Sequence, residues 1–195
     1  RTVPGVVTLG AGTTTPTPSS VTRCFNGLLE TCDLDFRNTG FLFGAIPAQT
    51  AGTTSATHTV QAVRTDNNTG VCTGVFTGNV PNIELASECI NPGTCQPGQQ
   101  VTFNNNGSGT IAANNSASVG SWTARTLTFG ANSTASFTFA YPDVGAIRLH
   151  ARYNINGSGD YMTGTSSNVV VKPAGFTVSN IRRASDNFAN PGAAN

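Results

Sequence analysis

The chain has 195 residues, enough for one large β domain or two small ones. Charged residues make up 10% of it and the formal net charge is +1, where a typical domain is roughly a quarter charged. That balance excludes an electrostatic case for nucleic acid or for an anionic membrane, and no apolar run approaches the ~20 residues of a membrane-spanning helix. Thr, Ser, Asn and Gly must cover the surface.

Val3 to Leu9 reads as a short apolar strand, and a Thr- and Pro-rich linker follows it through residue 20. The strand is expected to add to a sheet edge, either of this domain or of a neighbouring subunit. The N-terminus lacks the basic-then-apolar layout of a signal peptide, so any targeting signal is expected upstream or removed. We expect the β domain proper over residues 21–172, with 173–195 forming a C-terminal strand at Phe176–Ile181 and a linker into a following domain. Phe41 and Phe43 point to one side of a short strand that ends before Pro47. Thr57–Thr65 alternates at Val60 and Ala62, and the turn-rich residues 66–70 lead into Val71–Thr77, the cleanest hairpin signal in the chain. Ile83 and Leu85 mark a strand running into Cys89, and Val101 with Phe103 mark the next. Residues 104–121 hold little apolar material and read as a long irregular excursion with one weak strand at Thr110–Ala112. Thr123–Phe129 then presents Leu127 and Phe129.

Phe137–Tyr153 is the most regular stretch. Phe137, Phe139 and Tyr141 alternate with Ser136, Thr138 and Ala140, and Ile147, Leu149, Ala151 and Tyr153 alternate with Arg148, His150 and Arg152. Period two with one polar face predicts half-buried antiparallel strands. Between them Pro142 cannot donate to a ladder, Asp143 can hydrogen-bond its own backbone, and Gly145 tolerates positive φ, so the chain turns a corner. An Asp-x-Gly corner resembles that of immunoglobulin-like sandwiches, although Ile147 and Leu149 stand where those carry Tyr and Cys. Beyond Tyr153, residues 154–165 read as a Gly-rich loop and Asn168–Lys172 as a buried strand. No segment keeps helical period over three turns. About ten or eleven short strands between turn signals predict an all-β fold, an enlarged antiparallel immunoglobulin-like β-sandwich with long polar loops. Its expected core is Phe41, Phe43, Phe129, Phe137, Phe139, Ile147 and Leu149.

The five cysteines pose a redox question. Metal binding is the rival reading, but there is no Cys-x2-Cys pair, and His58 and His150 lie far from the cysteines in sequence. Disulfides in an oxidising compartment account for the pattern better. Cys24 and Cys32 flank a loop with a turn signal at Asn26-Gly27, and Cys89 and Cys95 flank Ile-Asn-Pro-Gly-Thr; both pairs are expected to be joined. Cys72 is left odd, either buried and free or competing for Cys89.

The nine acidic residues include no pair on one strand at a spacing that would flank a glycosidic bond. No serine sits in a nucleophile elbow. The chain is therefore expected not to be an enzyme and to carry no cofactor and no metal. Asn154 to Asp160 echoes an oxygen-rich calcium loop but lacks the opening aspartate and a bidentate glutamate. Arg148, His150 and Arg152 alternate onto one strand face, either as a solvated face or as a small cationic strip that could contact a ligand. Trp122 is either a core anchor or a stacking platform for a sugar ring.

The run Tyr-Pro-Asp-Val-Gly-Ala-Ile-Arg-Leu-His-Ala-Arg-Tyr at 141–153 resembles the signature of the large, mostly uncharacterised domain of MshQ-type proteins. These belong to the mannose-sensitive haemagglutinin type IV pilus system of Gram-negative bacteria. Three further stretches are similar to the same family: Cys24–Phe43, Gln61–Cys95 and Lys172–Asn195, the last with Phe-Thr-Val-Ser-Asn-Ile-Arg and Asn-Pro-Gly-Ala-Ala. The resemblance implies a structural or adhesive module of a large secreted or surface-exposed protein, located outside the cell. Its implied partners are neighbouring β domains, pilus subunits and surface glycans, and it brings no catalytic residues. A carbohydrate-binding module built on the 104–121 loop and Trp122 is the alternative.

Overall fold

The computed structural model describes residues 39–65, 72–116, 118–155, 157 and 159–175, and shorter stretches at 5–8, 23, 25–26, 29–30 and 32–36. The expected strand at Phe176–Ile181 lies outside the described residues. The strands are β1 (Gly5–Thr8), β2 (Phe25–Asn26), β3 (Leu29–Glu30), β4 (Asp33–Phe36), β5 (Thr39–Phe43), β6 (Gln49–Thr50), β7 (His58–Thr65), β8 (Cys72–Gly74) and β9 (Gly78–Asn91). They continue as β10 (Thr102–Asn105), β11 (Gly107–Thr110), β12 (Ala112–Asn115), β13 (Thr123–Phe129), β14 (Thr134–Ala140), β15 (Gly145–Asn154), β16 (Tyr161–Thr165) and β17 (Val169–Lys172). Among the described residues the helical content is a single 3-10 turn, Ala131–Ser133.

Hydrogen bonding joins β5 through β17 into one open mixed sheet. One arm runs β11-β10-β14-β7-β5, and the other is built on β15, which pairs β16 and β17 along one edge and β9 along the other. On its far side β9 pairs β13 in antiparallel fashion and β12 in parallel. The arms meet where β16 runs parallel to β5 at Thr163 and Gly40. Gly164 makes that seam possible, because a Cβ there would overlap the main chain of Phe41. The pairing is thus mixed and not purely antiparallel, with further parallel contacts between β17 and β6.

The two arms share one core. Phe41, Phe129, Phe137, Phe139, Ile147 and Leu149 are buried in it, and Phe43 packs against it partly buried. Phe76 bridges the arms, its ring centroid 6.4 Å from Phe41, 5.3 Å from Phe129 and 5.1 Å from Tyr153. Phe103 and Phe137 stack at 4.7 Å between neighbouring strands β10 and β14. Period-two alternation fixes which side chains enter this core: in β14, Ala135, Phe137 and Phe139 point in while Ser136 points out. β14 and β15 belong to different arms, so the corner at Tyr141–Val144 carries the chain from one arm to the other, the sandwich-like connection that its residues predict.

Three sequence expectations are corrected. Residues 104–115 are mostly strand: Gly107, at φ 88°, closes a tight hairpin between β10 and β11, Ile111 is buried, and β12 lies alongside β9. Residues 154–165, expected as loop, contain β16, which pairs β15 from His150 to Asn154. The N-terminal strand pairs within the chain, Gly5–Thr8 against Asp33–Phe36, in a two-stranded sheet separate from the main one, and so adds to no edge of the main sheet.

Candidate functional site

The outer face of the β9–β15 pair gathers the ligand contacts expected from sequence, together with two carboxylates that were not anticipated. In β9, Ile83, Leu85 and Cys89 point into the core, which sends Glu84, Ala86 and Glu88 to the other face. The antiparallel register sets Arg152 opposite Glu84, His150 opposite Ala86 and Arg148 opposite Glu88. Arg152 Nε donates to Glu84 Oε2 at 2.6 Å. Glu88 Oε2 lies 3.0 Å from His150 Nε2, whose other ring nitrogen is 3.0 Å from Thr165 Oγ1. Arg148 Nε donates to Asn168 Oδ1 at 2.6 Å. The expected cationic strip is therefore charge-balanced, and the two glutamates balance it.

Trp122, at the start of β13, covers this network. The small Ala86 lies between Glu84 and Glu88 on the same face, and the indole lies over the β15 side chains. The Arg152 guanidinium is 4.3 Å from the Trp122 ring centroid and 4.4 Å from that of Tyr161, so it is held between two aromatic faces. Trp122 also meets His150 edge to face at 6.5 Å, and its Nε1 is buried with no hydrogen-bond partner. Gly120 and Ser121 are held from below by Asn114, which accepts from both their amides and donates to Ser87 O and Ser121 O.

His150 is buried and not solvated on an open strand face. Burial pushes its imidazole below the ordinary 6.5, and Arg148 adds to this; the hydrogen bond and charge of Glu88 oppose it. A neutral imidazole between a carboxylate and a hydroxyl has the connectivity of an acid–base relay. Thr165, however, sits directly opposite His150 in the β15–β16 ladder. The adjacent main chain is also spent, since Ser166 N–H donates to Leu149 O and Leu149 N–H to Ser166 Oγ. Those amides cannot form an oxyanion hole beside the hydroxyl. Each glutamate carboxylate is instead taken up by a β15 side chain, Glu84 by Arg152 and Glu88 by His150. The chemistry this cluster performs best is to pin β9, β15, β16 and the Trp122 segment together.

A second fixed point lies at the far end of β9. Cys89 and Cys95 are disulfide-bonded, with Cα atoms 5.4 Å apart, around a loop that begins at the cis Asn91–Pro92 bond. The Tyr141 hydroxyl donates to Cys89 Sγ at 3.5 Å, which ties the inter-arm corner to the bridge. Ser116 N–H to Gly93 O at 2.8 Å and Cys95 N–H to Asn115 Oδ1 at 2.9 Å fasten the same loop to β12. Cys32 is also disulfide-bonded, while Cys24 lies outside the described residues. Cys72 is a free and exposed thiol, not a buried one. Asn154, at the head of the calcium-like loop, uses its Oδ1 to accept from Gly157 N–H at 2.9 Å. Among the described residues no group of three His, Cys, Asp or Glu side chains is placed to hold a metal ion.

The glutamates left a local signal: they occupy the outward positions of a strand that sends Ile83, Leu85 and Cys89 inward. Their partners did not, because Glu84 and Arg152 are separated by 68 residues and Glu88 and His150 by 62. No curated protein matches the chain. The family model described as domain of unknown function (DUF6701), first Ig-like domain, matches residues 21–181, and the chain, with its all-β fold, belongs to that family.

Proposed function

We propose that the domain is a non-catalytic structural and adhesive β module of a large secreted or surface-exposed protein of a Gram-negative bacterium, acting with neighbouring β domains and associated with a type IV pilus or similar filament. The observation that carries this reading is how the outer face of β9 and β15 uses its charges. Glu84, Glu88, Arg148, His150 and Arg152 are each engaged within the chain, at 2.6 to 3.0 Å. Such a face holds shape under load and offers no free general acid or base. The Cys89–Cys95 bridge fits an oxidising compartment outside the cytoplasm, and the likeness of residues 141–153 to MshQ-type proteins supplies the pilus setting.

The test is exposure on intact cells. An antibody against the domain is expected to label unpermeabilised bacteria that produce the parent protein, with the label along or at the base of filaments. Labelling that appears only after permeabilisation overturns the surface assignment. Trp122 is a poor glycan platform for the alternative reading, because Arg152 occupies one ring face and the indole Nε1 is buried.

A further inference from the structure

We propose that the outer face of β10 and β14 is a binding site for a neutral oligosaccharide. This deepens the carbohydrate-binding alternative and places the site away from Trp122. Two adjoining hollows lie on this face, of about 220 and 80 Å³, and Asn104 and Thr138 line both. Thr57 and Ser136 help to line the first, and Thr102 and Ser108 the second. None of the lining residues of either hollow is charged.

The chemistry is that of a polyol receptor. Each hydroxyl supplies one donor and two acceptor lone pairs, and a carboxamide supplies both kinds. Among the described residues the side chains of these six make no hydrogen bond within the chain, so this capacity faces outward. A neutral, hydroxyl-dense ligand matches such a lining; an anion or cation finds no counter-charge there. The outer face of β9 and β15 is the opposite case, because its polar groups are consumed internally.

The hollows are also built on a stiff floor and wall. Asn104 pairs with Thr138 and Thr102 with Ala140 in the β10–β14 ladder, over the Phe103–Phe137 stack. Asn105 locks the hairpin edge, accepting from Thr128 N–H at 2.7 Å and donating to Ser136 O at 2.7 Å. The wall carrying Thr57 is held to β14 and the corner: Ser55 N–H donates to Phe139 O, Ser55 Oγ accepts from Phe139 N–H, and Gly52 N–H donates to Tyr141 O. A groove already in shape costs little ordering when it is filled.

The experiment is titration of the folded domain with uncharged cello-, chito- and malto-oligosaccharides and with a uronic acid oligomer, by calorimetry or protein NMR. At least one neutral oligomer is expected to bind and to perturb the amides of residues 102–108 and 136–140, with the uronic acid oligomer weaker. Asn104→Ala, an exposed position, and Thr138→Val, which keeps the side-chain shape, are each expected to weaken binding about tenfold, in line with loss of a hydrogen bond or two. Trp122→Ala is expected to leave affinity unchanged. Binding abolished by Trp122→Ala but untouched by Asn104→Ala and Thr138→Val overturns the groove while keeping the glycan reading. Absence of binding by every neutral oligomer overturns both, and leaves the surface-module reading to the labelling of intact cells.

Discussion

At the scale of single residues, the two histidines set the response to acid. Burial lowers the imidazoles of both His58 and His150 from the ordinary 6.5. His58 lies between the rings of Phe137 and Phe139, at 5.9 and 5.8 Å, and its Nε2 has no partner. The unfolded chain takes up protons at both sites as pH drops through 6.5, while the folded chain resists to lower pH. More protons on the unfolded state means that stability is full above that value and falls as pH decreases below it. Melting temperature is therefore expected to drop between about pH 7 and about pH 5, and less steeply in His58→Leu; an equal drop in the variant would remove His58 from the account. Arg152 makes a second residue-scale prediction. Arg152→Lys keeps the charge but loses the planar stack between Trp122 and Tyr161, so we expect both it and Arg152→Ala to destabilise, by roughly 1 and 2 kcal/mol. Glu84→Gln, which removes only the part-exposed ion pair, should cost less than about 1 kcal/mol; urea titrations of the three variants against the parent measure these differences.

Among the elements, the seam between β5 and β16 is the most demanding. Gly164→Ala puts a methyl group into the Phe41 main chain and is expected to cost more than about 2 kcal/mol, because backbone and not a flexible side chain has to move. A thermal shift within a degree of the parent would show that the seam can yield. Individual strands were largely legible in the sequence, because alternation at Phe137, Phe139, Ile147 and Leu149 encodes which face is buried. What alternation does not encode is which strand lies alongside, so the division of β14 and β15 between two arms and the parallel contact of β12 with β9 could not be read from it. The Asn106-Gly107 turn is itself a strong hairpin signal. It was masked because β11 is Gly-Ser-Gly-Thr and owes its place to main-chain pairing with β10, not to apolar side chains. Trp122, Arg148, His150 and Arg152 could be picked out as a group by residue type and spacing. Their neutralisation by Glu84 and Glu88 depends on a register set by the whole fold.

The whole molecule joins a single core, a charge-balanced face that fastens β9 to β15, and a disulfide that closes the loop after β9 and accepts a hydrogen bond from Tyr141 at the inter-arm corner. Beside the charge-balanced face, the outer side of β10 and β14 presents a second, neutral polar face. The role proposed for the domain is contact and not turnover. In-frame removal of residues 21–172 from the parent protein in its own bacterium, read out as attachment under flow and as filaments per cell, distinguishes the two. A severalfold fall in attachment or in filament display is expected; unchanged attachment and filaments, with loss instead of a small-molecule conversion, would overturn the proposed role.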